Sequence, residues 1–159
     1  MQFPAVTGTN LLRRKLRLPT DFEGELNLLF IPFYQWHQAL IDSWAPLAAE
    51  IERNTAGFRF YELPVIQRMN PFAQTFINEG MRAGIPNSST RERTITLYLD
   101  KTTFREALGL PSEDTIYALL VDRQGNIIWK TQGAFSPEKG QALLAALQDR
   151  QPAISLGRA

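Results

Sequence analysis

Apolar residues are arranged along the chain in two patterns, one typical of strands and one typical of helices. Segments with these two patterns alternate. Residues 26–33 form an almost unbroken apolar run, which is too short to cross a membrane and is typical of a central strand buried on both faces. From Trp36 to about Asn54, apolar residues recur at spacings of three and four, which predicts a helix. Pro46 lies inside this helix and is expected to kink it, because proline lacks the amide hydrogen that a helix interior needs.

The later segments continue the alternation of strands and helices. Strands are predicted over 58–66, 94–99, 116–121 and 126–130, and helices over 72–83, 100–108 and from Pro137 onward. Asn70 and Ser136 precede two of these helices as capping residues, and residues 85–91 are predicted to form a polar loop. This order predicts an α/β fold with a central, mostly parallel sheet, helices on both faces and a terminal antiparallel hairpin.

No linker or internal repeat divides the 159 residues, so a single domain over residues 1–159 is expected. Residues 1–25 are predicted to be a loosely structured lead-in with short extended pieces at the edge of the sheet. Residues 150–159 are predicted to be a flexible tail, because little in their composition would hold them against the domain.

Composition excludes several classes of function. The formal net charge of +1 comes from 17 basic and 16 acidic residues and argues against a dedicated nucleic-acid binder. Without a transmembrane stretch or an apolar signal core, the chain is expected in the cytoplasm or at a membrane surface without stable insertion. There is no cysteine and only one histidine, so thiolate chemistry is excluded and no metal site, cofactor or catalytic residue is predicted.

The central strand and the helix after it carry a resemblance. Residues 32–47, PFYQWHQALIDSWAPL, resemble the active-site segment of thioredoxin-like proteins, in particular the peroxiredoxin and membrane-anchored thioredoxin branch. In that branch two cysteines open the helix and a proline follows eight positions after the first. Pro46 takes the place of that proline, and Gln38 and Ile41 take the places of the cysteines. The resemblance implies a thioredoxin-like fold with an extra strand-helix insertion and without redox chemistry.

The second half resembles a narrower family. Residues 104–117 (FREALGLPSEDTIY) and 119–133 (LLVDRQGNIIWKTQG) are similar to the mitochondrial ATP-synthase assembly factor that chaperones the proton-channel subunit. The similarity covers roughly residues 3–149 and is carried by Asp122, Gly125, Ile128, Trp129 and Gly133. Ile116 stands where redoxins have a cis-proline. The resemblance implies an assembly factor or chaperone that binds protein, with a membrane-complex subunit as its partner.

The first candidate binding site is the loop after the central strand, with Tyr34, Trp36, His37 and Gln38. These residues could form a polar-aromatic cleft for a peptide or a small ligand, in which Trp36 is the anchor. Equally, Trp36 could pack on the sheet edge while His37 caps the loop or faces water. The alternative function is therefore a cysteine-independent small-ligand-binding protein or an enzyme that uses this crevice together with Arg68.

The second candidate site lies around the predicted helix over 72–83, which is expected to carry Phe72, Phe76, Ile77 and Met81 along one face. Methionines and aromatic residues rimmed by arginines could form a protein-binding groove, since methionine adapts to varied apolar partners. The binding residues predicted here are Arg68, Met69, Phe72, Met81 and Arg82. The other interpretation is that these apolar residues cover the core and the arginines are solvated.

Overall fold

The computed structural model of the protein describes residues 1–150, which form eight strands and six α-helices. The strands are β1 (Val6–Asn10), β2 (Lys15–Leu18), β3 (Leu26–Ile31), β4 (Phe58–Glu62), β5 (Val65–Gln67), β6 (Ile95–Leu99), β7 (Tyr117–Asp122) and β8 (Ile127–Gln132). The helices are α1 (Gln38–Asp42), α2 (Ala45–Asn54), α3 (Pro71–Gly84), α4 (Ser88–Arg93), α5 (Lys101–Leu108) and α6 (Pro137–Gln148), and a 3-10 turn covers Gln35–His37.

The strands pair in the orders β2-β1-β6-β5 and β4-β3-β7-β8. Only Leu63 and Pro64 separate β4 from β5, so one extended stretch joins the two sheets: the Leu63 N–H donates to Phe30 O, and Pro64 O accepts from the Leu97 N–H. The predicted α/β class is confirmed. The sheet is more antiparallel than predicted, because β3–β4 and β5–β6 are parallel while the other four pairings are antiparallel.

The core lies on both sides of β3, all six residues of which are buried. Leu28 and Phe30 face a cluster that includes Trp44 of the α1–α2 junction and Leu143 of α6. Leu29 and Ile31 face the other cluster, to which α5 contributes Phe104 and Leu108. Helices therefore cover both faces, as the continuous apolar run of the central strand requires.

Local capping signals set most helix starts. Asn70 Oδ1 accepts a hydrogen bond from the Ala73 N–H at 2.8 Å and begins α3, and Ser136 begins α6 in the same way. The predicted polar loop over 85–91 is wrong in part, because Asn87 caps a further helix, α4, by accepting from the Thr90 N–H at 3.0 Å. Pro46 does not kink one long helix. It lies in the first turn of α2, after α1 has ended at Asp42, because its nitrogen cannot donate to the preceding turn.

The lead-in and the carboxyl-terminal end complete the described part. Residues 1–25 contain β1 and β2, which form a hairpin, and β1 extends the sheet by pairing with β6. Arg150, the first residue of the predicted flexible tail, donates to Asp122 Oδ2 at 3.1 Å, and residues 151–159 of that tail lie outside the described residues. Among residues 1–150, no helix is both long enough and apolar enough to span a membrane.

Candidate functional site

The loop that follows β3 carries two exposed aromatic rings around a buried histidine. Tyr34 is 49% exposed and Trp36 is 60% exposed, whereas His37 is fully buried. The His37 ring meets Trp36 edge-on at 4.3 Å and Tyr34 at 5.5 Å between ring centroids. Three of the four residues predicted at the first site therefore lie together, with two rings presented to solvent.

His37 organises the loop from inside. Its Nδ1 accepts a hydrogen bond from the Phe33 N–H at 2.9 Å, which satisfies a buried backbone donor where β3 ends. Burial lowers the pKa of His37 below its ordinary value, and the neighbouring Asp114 opposes that shift. A neutral, buried imidazole with an occupied Nδ1 positions the loop and offers no surface to a ligand.

The two positions that the resemblance aligns with the cysteines of thioredoxin-like proteins differ in their exposure: Gln38 is exposed and Ile41 is buried. Gln38, the first residue of α1, is exposed, and its Nε2 donates to Asp42 Oδ1 at 3.0 Å and to Glu62 Oε1 at 3.2 Å. Burial raises the pKa of Glu62, which lies at the end of β4. Ile41 is buried against Trp44 in the core. A hydrogen-bonded amide and an apolar core residue thus occupy the two positions that the resemblance aligns with the cysteines.

Tyr34 is held in place by Glu113, which lies in the loop between α5 and β7. Its hydroxyl donates to Glu113 Oε1 at 2.9 Å, and the same oxygen accepts from Lys101 Nζ at 2.8 Å. Lys101 also lies 4.7 Å from the centre of the Tyr34 ring. The hydrogen bond with Glu113 raises the pKa of the Tyr34 phenol, and Lys101 lowers the pKa of the Glu113 carboxyl.

Helix α3 presents its largest apolar side chains to solvent. Phe72 is 85% exposed and Phe76 is 77% exposed, and Gly80, Ala83 and Gly84 continue the same side of the helix. We call these five residues the α3 face. The prediction that Phe72, Phe76, Ile77 and Met81 share one face is wrong, because Ile77 and Met81 are partly buried whereas Phe72 and Phe76 are exposed.

Polar contacts hold the inner side of α3 to the body of the protein. Asn78 is its one buried residue, and the Tyr98 hydroxyl on β6 donates to Gln74 O at 3.0 Å. Burial raises the pKa of Tyr98 to about 12, so the phenol keeps its proton. Arg13, in the β1–β2 turn, makes two hydrogen bonds to the Glu79 carboxylate at 2.7 and 3.0 Å. The Tyr98 contact is on the side opposite Phe76, and the exposed Arg13–Glu79 pair lies at the edge of the α3 face, so the apolar side chains of that face stay uncovered.

The residues predicted for the second site are distributed over both sides of this helix. Phe72 belongs to the α3 face, while Met81 and Arg82 are partly buried. Met69 is partly buried and Arg68 is exposed in the loop before α3. Phe76 and Gly80 are not among the predicted binding residues. Phe76 follows Phe72 by four positions and Gly80 follows Phe76 by four, and this spacing is the sequence signal that places them on one side of the helix.

Comparisons with known proteins agree with this architecture. The sequence model of the family described as ATP10 protein matches residues 1–149. No curated protein sequence matches the chain. Among solved structures, the exposed lipoprotein thioredoxin Etrx1 of Streptococcus pneumoniae is similar with a TM-score of 0.59 at 14% identity, over 92% of this chain and 99% of that chain.

Two further solved structures show the same similarity. ScoI of Arabidopsis thaliana, solved with copper bound, has a TM-score of 0.60 at 11% identity, over 94% of this chain and 99% of that chain. A thiol-disulfide oxidoreductase of Bacteroides fragilis has a TM-score of 0.56 at 13% identity, over 92% and 99%. At these identities the likeness concerns the fold alone, and it confirms the predicted thioredoxin-like architecture.

Proposed function

The chain belongs to the ATP10 protein family, and from this membership we propose that it is an ATP-synthase assembly factor that acts by binding protein and not by catalysis. Thiol-disulfide exchange and peroxide reduction both require a thiolate, and the chain has no cysteine. The proposed partner is a membrane subunit of the synthase, as the resemblance to the factor that chaperones the proton-channel subunit implies. The expected cytoplasmic location stays a prediction.

The single observation that carries this proposal is the α3 face. Phe72 and Phe76 are 85% and 77% exposed on a helix whose opposite side is bound by the Tyr98 hydroxyl. Exposed aromatic side chains on one continuous surface are typical of sites that bind protein, because the hydrophobic effect favours their burial on association. A subunit that will be inserted into the membrane has apolar segments that must be shielded from water beforehand. The α3 face could cover such a segment.

The loop around Trp36 supports a second candidate function, the binding of a small ligand or peptide. Its supporting observation is the exposure of Trp36 and Tyr34 beside each other, with Tyr34 fixed by Glu113. Rigid aromatic rings anchor ligands at low entropic cost. The buried His37 has no part in that binding beyond positioning the loop.

The test is genetic complementation in a strain of the native host that lacks this gene. The strain would express wild type, the double variant Phe72→Ser/Phe76→Ser, Trp36→Ser, or the matched control Thr75→Ser, an exposed position on the same helix. Assembled ATP-synthase membrane sector is quantified on native gels, and immunoblots confirm equal amounts of each variant. We expect the double variant to lower the assembled sector several-fold, while the control and Trp36→Ser restore it.

Each other outcome has a defined meaning. Normal assembly with the double variant at wild-type protein levels would refute the role of the α3 face. A defect confined to Trp36→Ser would move the binding site to the loop after β3. If the deletion strain itself assembles the synthase normally, the assembly function is wrong.

A further inference from the structure

The two halves of the α3 face differ in size in a regular way. Its amino-terminal half carries the large side chains of Phe72 and Phe76, and its carboxyl-terminal half carries Gly80, Ala83 and Gly84. A Cβ atom added at Gly80 or at Gly84 would meet nothing within 4 Å. The half of the α3 face with the large rings could therefore fit against the glycine half of an identical α3 face on a second copy.

Gly80 has no explanation within its own chain. Glycine is unfavourable in a helix interior, and here it stands in the tenth of fourteen helical positions with open space beside it. Elsewhere in the protein a glycine avoids a clash: a Cβ at Gly140 would lie 2.8 Å from the Phe135 ring. Close approach of a second backbone or ring from outside the chain is the remaining structural reason for glycine at position 80.

We propose that the α3 faces of two copies of this chain pair with each other in an antiparallel, two-fold symmetric arrangement. The two-fold axis crosses the exposed side of α3 midway between Phe76 and Gly80. It places residues whose numbers add up to 156 opposite each other. Phe76 of each copy then lies on Gly80 of the other, and Phe72 lies on Gly84. Such an isologous contact closes on itself, because each copy supplies both the rings and the notch.

The charges on α3 are compatible with a contact between identical surfaces. The residues most exposed on the helix are uncharged, namely Pro71, Phe72, Thr75, Phe76, Gly80, Ala83 and Gly84. Of its two charged residues, Arg82 is partly buried, while the Glu79 side chain is 40% exposed at the edge of the α3 face and is paired with Arg13. In the two-fold arrangement Glu79 lies opposite Ile77 of the other copy. Two copies can therefore approach without placing like charges opposite each other, which commonly prevents self-association of identical surfaces.

The area available sets the expected strength. A phenylalanine side chain exposes about 200 Å² when free, so Phe72 and Phe76, 85% and 77% exposed, offer about 320 Å² per copy. Two copies would bury roughly 600 Å² from these rings alone, with the glycine half of each helix adding to it, against about 1,200–2,000 Å² for a standard specific interface. The expected dimer is weak and reversible. It covers the surface that the proposed function gives to the client, so the client would compete with the second copy.

Sedimentation velocity on the purified chain tests the association, with no client present. We expect wild type to change from monomer to dimer between about 1 µM and about 300 µM, and Phe76→Ser to raise the dissociation constant by about tenfold or more, whereas Thr75→Ser leaves it near the wild-type value. Gly80→Leu is the decisive variant. Leucine favours the helix and its Cβ would meet nothing within 4 Å in the monomer, so a weaker dimer with an intact fold would show that the notch receives the ring. Dimerisation that Gly80→Leu does not weaken would overturn this packing.

The orientation is tested by disulfide formation, since the chain has no cysteine of its own. Variants F76C and G80C, mixed under mild oxidation, should form the mixed disulfide faster than either variant forms its own. Faster self-linking of each variant would indicate parallel helices and overturn the two-fold arrangement. A wild-type chain that stays monomeric at all concentrations overturns the proposal. This holds equally if the monomeric chain binds anionic phospholipid vesicles in a flotation assay. That result would leave the complementation test of the assembly function unaffected.

Discussion

The exposure of Phe76 leads to a stability prediction that can be worked out in numbers. Phe76 is 77% exposed, so about 45 Å² of its roughly 200 Å² is buried, which at about 25 cal/mol per Å² is worth about 1 kcal/mol. Alanine regains about half of this amount because it is the better helix former. The variant Phe76→Ala should therefore lower the free energy of unfolding by about 0.5 kcal/mol.

A core phenylalanine gives the matched comparison. Phe30 on β3 is 1% exposed and packs against Trp44 with 6.0 Å between ring centroids. Phe30→Ala removes the same atoms from a close-packed core and leaves a cavity, which costs about 3–5 kcal/mol. The same chemical change should thus have effects that differ at least fivefold, and only the orientation of the side chain distinguishes the two positions.

Urea denaturation of both variants provides the measurement, followed by tryptophan fluorescence and far-ultraviolet circular dichroism. Trp44 is fully buried and reports loss of the core. Protein is kept near 1 µM, at the lower end of the range over which the proposed dimer forms, so that self-association adds little stability. A loss of about 3 kcal/mol or more for Phe76→Ala would show that this ring is buried in solution and would refute the α3 face.

Two further predictions concern pH. Burial lowers the pKa of His37, so its contribution to stability is complete above the ordinary pKa of 6.5 and is lost as pH falls below it. His37→Asn keeps an acceptor for the Phe33 N–H and should reduce the fall in the urea midpoint between about pH 7.5 and pH 5.5, and an unchanged fall would contradict this reasoning. Burial raises the pKa of Glu62 above its ordinary 4.5, so the ionised carboxylate destabilises the fold at neutral pH. Glu62→Gln should raise the urea midpoint near pH 7.5, and the gain should disappear near pH 4, where the carboxyl is protonated in both states; a lower midpoint at neutral pH would contradict the prediction.

Much of the architecture could be predicted because its signals are local. An unbroken apolar run defines β3, and capping residues such as Asn70 and Ser136 mark where helices begin. The loss of thiol chemistry follows from composition alone. The errors are also local: Asn87 can be assigned to a turn or to a cap, and the structure shows that it caps α4. In the lead-in, the sequence predicted short extended pieces at the sheet edge but not that they pair with each other as β1 and β2.

The candidate sites depended on tertiary structure to a greater extent. The aromatic loop could be located from sequence, but the full burial of His37 depends on how the loop folds: the rings of Phe33, Tyr34 and Trp36 lie edge-on against it, and Asp114, distant in sequence, lies close enough to affect its pKa. Sequence left open whether this histidine faces water. Its neighbours in space decide that question, and with it the use of the ring as a positioning group.

The orientation of α3 shows most clearly what each level determines. Helical periodicity fixes which residues share a side, and it groups Phe72 with Phe76. It does not fix which side meets the sheet, and apolar content alone favours burying the phenylalanines. In the folded chain the Tyr98 hydroxyl binds the opposite, polar side at Gln74 O, and the Arg13 guanidinium pairs with Glu79 at the edge of the α3 face. Those partners come from distant parts of the sequence, so only the tertiary structure decided that the aromatic side faces outward.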